Sequence, residues 1–136
     1  MTRASARIAV RLGLVLLAAS PAAVACRQRA RTEPPIEWTW RFTPAPPVVG
    51  PTILTITAHS QSGEPIDGAA IHLAAHMSHP GMAPVLADAT ARAAGTYDIP
   101  FAFTMRGDWV LLVSMTLPDG HRIERRIDVA NVRPPR

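Results

Sequence analysis

The stretch Tyr97-Asp-Ile-Pro-Phe-Ala-Phe-Thr-Met105 carries the clearest alternation in the chain. Tyr97, Ile99, Phe101, Phe103 and Met105 fall at every second position, and side chains on an extended strand point alternately to its two faces. All five therefore share one face. Aromatic and β-branched residues in strict alternation predict a half-buried strand over 96–105. Pro100 lacks an N–H, so the strand must have an edge or a bulge there.

Past Ile36 the chain alternates and breaks often. Strands are expected at 36–42, 52–59, 69–76, 84–91, 96–105, 109–116 and 122–130. Breakers separate them: Pro44 to Pro51, Gly63 to Gly68, Pro80-Gly81, Gly95, Gly107-Asp108 and Pro118-Asp119-Gly120. Short strands at this spacing with such turn signals predict an all-β sandwich of about seven strands. The run Trp109-Val-Leu-Leu-Val-Ser-Met115 is apolar on both faces and should lie centrally. Ile123, Ile127 and Val129 share one side of the last strand. No segment carries a helical period, and no internal repeat occurs.

The N-terminal third reads differently. Arg3, Arg7 and Arg11 precede the apolar run Leu12 to Ala19, and small residues follow up to Ala25. A basic start, a short apolar core and a small-residue cleavage site make a secretory signal. The run falls well short of the roughly 20 residues that span a bilayer. Ala23-Val24-Ala25 fits ordinary signal cleavage. With Cys26 it also resembles a lipobox, which would make Cys26 the lipidated first residue of the mature chain. Residues 27–35 (RQRARTEPP) read as a polar tether. The expected organisation is a signal peptide over 1–25, a tether and first strand over 26–47, and the sandwich over 48–132. The location implied is the periplasm or cell envelope, with a membrane anchor through Cys26.

The formal charge of +4 is an artefact of this layout. Of the 14 basic residues, six arginines precede residue 32, so eight remain in the folded part against all ten acids. A slightly acidic domain without a basic stripe is no nucleic-acid binder. The single cysteine excludes an internal disulfide and Cys-based zinc sites. An enzyme finds no support: Ser, His and Asp are scattered, no carboxylates pair in a cleft, and the glycines are isolated turn residues.

What remains is His76-Met-Ser-His-Pro-Gly-Met82, two imidazoles and two thioethers in seven residues, with His72 just upstream. Thioether sulfur suits Cu(I), and imidazole suits Cu(II) and Zn. A mixed His/Met set in an exported protein points to copper first. His72 lies four residues before His76, about 13 Å along a regular strand, too far for one metal. His76, His79 and Met82 escape that limit because Pro80-Gly81 turns the chain. If consecutive strands run antiparallel, Met105 ends its strand at the same end as this loop, with Trp109 beside it, whereas His59, Met115 and His121 fall at the other end. The candidate ligands are thus His76, His79 and Met82, joined by Met77 or Met105. The plainer alternative is a surface turn on a metal-free domain that binds another envelope protein.

The stretch Gly68 to Met82, Gly95-Thr-Tyr97 and Phe103-Thr-Met-Arg-Gly-Asp-Trp109 resemble the YtkA-like domain, which is related to the FixH proteins. Such domains carry a Met- or His-bearing loop after a strand, then Gly-x-Tyr, then Met-x-Gly-x-Trp. The counterparts are the 76–82 loop, Gly95 and Tyr97, and Met105, Gly107 and Trp109. The resemblance covers roughly residues 48–130. It implies an immunoglobulin-like sandwich outside the cytoplasm and a connection with copper, or with assembly of copper-containing oxidases. A copper donor or acceptor protein in the envelope would be the partner.

Overall fold

A computed structural model describes residues 35–136. The signal segment and Cys26 lie outside the described residues. Eight strands and no helix make up the described chain: β1 (Ile36–Thr43), β2 (Gly50–Ser60), β3 (Ala70–Met77), β4 (Val85–Asp88), β5 (Thr90–Ala93), β6 (Thr96–Phe103), β7 (Gly107–Thr116) and β8 (Arg122–Val132). They form two four-stranded antiparallel sheets, ordered β1-β2-β6-β5 and β4-β3-β7-β8.

The core is the sum of the inward rows. Leu54, Ile56 and Ala58 of β2 and Tyr97, Ile99, Phe101 and Phe103 of β6 come from the first sheet. Ile71, Leu73 and Ala75 of β3, then Trp109, Leu111, Val113 and Met115 of β7, come from the second. Leu117, with Ile123, Ile127, Val129 and Val132 of β8, completes it. Phe103 is fully buried, with its ring centroid 4.9 Å from Phe101 and 5.3 Å from Trp109, both edge-on. Aromatic pairs favour that geometry because the ring edge is positive and the face negative. This contact ties β6 to β7 across the sandwich.

Three expectations are refined. The single strand expected at 84–91 is two. β4 pairs with β3 in one sheet, and β5 pairs with β6 in the other. One straight strand cannot serve both sheets, so the chain changes sheet at Ala89, whose N–H still donates to Ile71 O at 2.9 Å. Next, the strand expected to reach Met105 stops at Phe103, and Met105 is 46% exposed. Alternation predicts burial only while the backbone stays extended, and here Thr104 leaves the strand. Finally, β7 is central, between β3 and β8, yet only one of its apolar faces is covered: Leu112 on the outer face is 46% exposed.

Pro100 sits where a missing N–H costs nothing. β5 reaches only to Asp98 of β6, so beyond that point one side of β6 is an edge.

Candidate metal centre

Strand direction brings two connections to one end of the sandwich. β3 ends at Met77 opposite Trp109 of β7, and Ser78 N–H donates to Asp108 O at 3.0 Å. The loop from Ser78 to Pro84 and the turn from Thr104 to Arg106 therefore flank the same corner. His79, Met82 and Met105 lie on these two connections, and His76 and Met77 on the strand that leads into them.

The strand then divides the candidates. Ile71, Leu73, Ala75 and Met77 occupy the inward parity of β3, and Met77 packs against the core. His72, Ala74 and His76 occupy the outward parity, so His76 and Met77 face opposite sides of the sheet. Two ligands of one ion cannot do so from adjacent positions of a regular strand. Met77 instead reaches the turn: its Cε lies 3.0 Å from where a Cβ on Gly107 would stand. Gly107 has φ +128°, and a side chain there would displace the Met77 methyl. From Gly107 the chain enters β7, and the indole Nε1–H of Trp109 donates to Met105 O at 3.1 Å. Met77, the Met105 backbone and Trp109 thus form one corner. His79 and Met82 are exposed on the adjoining loop, Met82 at 46%.

Among the described residues no group of three or more His, Cys, Asp or Glu could hold a metal ion. A metal at this end would then draw on thioether sulfur as well as imidazole. The donors available are the three methionines Met77, Met82 and Met105 with the imidazole of His79, a soft set that matches Cu(I) and suits Zn or Mg poorly.

The other sequence motifs have structural duties. Gly95 has φ +63°, and its N–H donates to Asp67 Oδ1 at 2.6 Å. The Tyr97 hydroxyl donates to Ile66 O at 2.7 Å and accepts from Ala69 N–H at 3.1 Å. Both lie at the end away from the His/Met loop, where they bind the 61–69 connection. His59 and His121 are at that end too, and His121 Nδ1 pairs with Asp119 at 3.0 Å.

Sequence reading missed the partner of His72. Its Nδ1 lies 2.5 Å from Asp88 Oδ1, both side chains being largely exposed on the outer face of the second sheet. They border a groove of about 580 Å³ floored by Ala74, Leu86 and Leu112. Only the β3–β4 register, His72 opposite Asp88, reveals the pair. Nothing in the spacing of the two residues carries that signal.

A family model described as YtkA-like matches residues 34–114, from the start of β1 into β7. None of the curated proteins matches the chain. Among solved structures, the soluble domain of PmoD from Methylocystis sp. (Rockwell) is similar, at 15% identity over 70% of this chain and 89% of that one, with a TM-score of 0.46.

Proposed function

The chain belongs to the YtkA-like family, and we propose that its sandwich is a copper-binding or copper-handling module of the cell envelope. The observation that carries the reading is the shared corner. Met77 and the turn bearing Met105 meet beside Trp109, and the loop bearing His79 and Met82 adjoins them. Copper bound there as Cu(I) would be held by thioethers with one imidazole. Exposure of Met82 and Met105 keeps such a site at the rim, where a donor or acceptor protein could reach it. His76, on the outward face, is the candidate this arrangement leaves out. No catalytic step is assigned. The basic, apolar and small-residue succession before Cys26 supports export, and Cys26 itself supports a lipid anchor.

The second reading, a metal-free domain that binds another envelope protein, draws on the outer-face groove with its exposed Leu86 and Leu112.

Cu(I) titration against a competing chelator separates the two. The unit Arg31–Arg136 is compact in itself and contains every described strand. It is expected to bind one Cu(I) tightly. Combined replacement of His79, Met82 and Met105 by Ala should abolish binding with the circular dichroism spectrum unchanged, while His76→Ala should leave binding intact. Loss of binding in His76→Ala would overturn this ligand set. Wild-type binding no tighter than that of the triple variant would sink the copper reading.

A further inference from the structure

β8 ends the second sheet, and among the described residues no strand pairs with its outer side until Val48 meets Arg133 past its C-terminal end. The strand is long, Arg122–Val132, and its outward-facing positions read Arg122, Glu124, Arg126, Asp128. All four side chains are more than 60% exposed. Within the chain they form two pairs, Arg122–Glu124 at 2.9 Å and Arg126–Asp128 at 2.7 Å.

The order of signs has a further property. An antiparallel pairing of β8 with a second β8 about a two-fold axis through Arg125 places residue 122 opposite 128 and residue 124 opposite 126. Every such contact joins opposite charges: Arg122 to Asp128, Glu124 to Arg126, and both again by symmetry. Moving the axis by one residue to either side puts Arg122 opposite Arg126 or Glu124 opposite Asp128, so the charges also select the register.

The backbone agrees with this register. In the hairpin before β8, Leu117 N–H donates to His121 O at 2.8 Å. Odd positions of β8 are therefore the ones that exchange hydrogen bonds with β7. The even positions turn their N–H and C=O groups to the open side. These are the four charged positions, so each charge pair would sit in a hydrogen-bonded pair of the new ladder, with Cα atoms about 5.5 Å apart.

We propose that β8 is a homodimer interface: two copies join edge to edge about Arg125 into one continuous eight-stranded sheet, with the Arg/Glu/Arg/Asp row as its recognition element. Exposed edges of this length otherwise invite indiscriminate pairing, and a signed row restricts pairing to a matching partner. Arg125 limits the strength. It is the one charge facing its own copy at the axis, although its guanidinium lies 5.9 Å from the ring centroid of Trp38 of its own sandwich. The dimer is therefore expected to dissociate on dilution and with added salt.

Sedimentation equilibrium on the Arg31–Arg136 unit over a concentration series tests this, with thermal melts confirming that each variant is folded. Wild type should show a monomer–dimer equilibrium. Glu124→Arg faces two Arg126 with arginines, and Arg126→Glu faces two Glu124 with glutamates. Each alone should weaken dimerisation roughly tenfold or more. An equimolar mixture of the two variants restores every opposite-charge contact and should dimerise again, as should the double variant E124R/R126E. Wild type monomeric at all concentrations would overturn the proposal. Single variants as dimeric as wild type, or a mixture that stays monomeric, would overturn it as well.

Discussion

Replacing Gly95 by alanine tests whether the Gly-x-Tyr motif locks the fold. Gly95 has φ +63°, and a Cβ there would stand 2.7 Å from Ala58 O and 2.8 Å from Pro65 Cβ. Neither neighbour can swing away. Ala58 O is backbone, and it already accepts from Ile66 N–H at 3.0 Å. Gly95 O in turn accepts from Ala58 N–H at 2.8 Å. An alanine in left-handed conformation costs about 1–2 kcal/mol, and overpacking a fixed site adds about 1–3 kcal/mol. The expected loss is about 2–5 kcal/mol, a fall in Tm of roughly 10–25 °C for a domain of this size. Gly120 is the control: its φ is +85°, but nothing lies within 4 Å of its Cβ position. Gly120→Ala should lose only the conformational part, about 1–2 kcal/mol. Urea unfolding followed by near-ultraviolet circular dichroism gives both values. If Gly95→Ala loses no more than Gly120→Ala, close approach is not the reason for glycine at this position. Gly95 lies at the end away from the His/Met loop, so Cu(I) affinity well below the variant's Tm should be unchanged.

Tyr97→Phe strands Ile66 O and Ala69 N–H and should cost about 1–3 kcal/mol in the same unfolding assay. A change within error would mean that water replaces the hydroxyl. Trp109→Phe keeps a ring against Phe103 but removes the donor to Met105 O. It should cost about 1 kcal/mol and loosen the turn, seen as faster amide exchange at 104–107. The Arg126 hydrogen bond holds the Asp128 carboxyl below its ordinary pKa. Its stabilising contribution is therefore present above the ordinary carboxylate range and disappears as pH falls through the depressed native value. Asp128→Asn should lower stability slightly at neutral pH, and the two proteins should converge in acid. The effect is small because both side chains are solvated, and a difference that grows on acidification would mean that the ionised carboxylate does not stabilise the fold.

The sandwich was legible because its central strands alternate cleanly. The inward rows of β6 and β8 follow the parity read from the sequence, apart from Met105 and Arg125, which are exposed, and Val132, which is buried off that parity. Boundaries were less legible for physical reasons. Val85 to Ala93 carries one continuous β pattern, and nothing in its composition tells which residue turns from one sheet to the other. The switch at Ala89 depends on both sheets needing a partner at that edge. Met105 keeps the parity of Phe101 and Phe103, but parity has no meaning once the chain turns. At the candidate site, topology gave the meeting of the 78–84 loop with the 104–106 turn. Proximity in sequence also grouped His76 with Met77, and pleating separates them. His72 and Asp88 became partners only through a register that spacing along the chain does not encode.

The motifs that carry the family resemblance have distinct physical origins, and they bear unequally on function. Gly95 and Tyr97 are accounted for by a backbone conformation and two hydrogen bonds at one end of the sandwich. Gly107 and Trp109 are accounted for by the Met77 methyl and the Met105 carbonyl at the other. In this sandwich these four residues have structural duties that involve no metal. They therefore argue for the architecture alone. The copper reading rests on side chains that the fold leaves unexplained: His79 and Met82 on an exposed loop, and the thioether of Met105, which no core contact requires. An exposed methionine gives up the burial that normally justifies its apolar side chain, about 1.5–3 kcal/mol when complete. Two such residues beside one corner make a stronger case for ligation than the histidines do, because histidine is at home on any solvated surface.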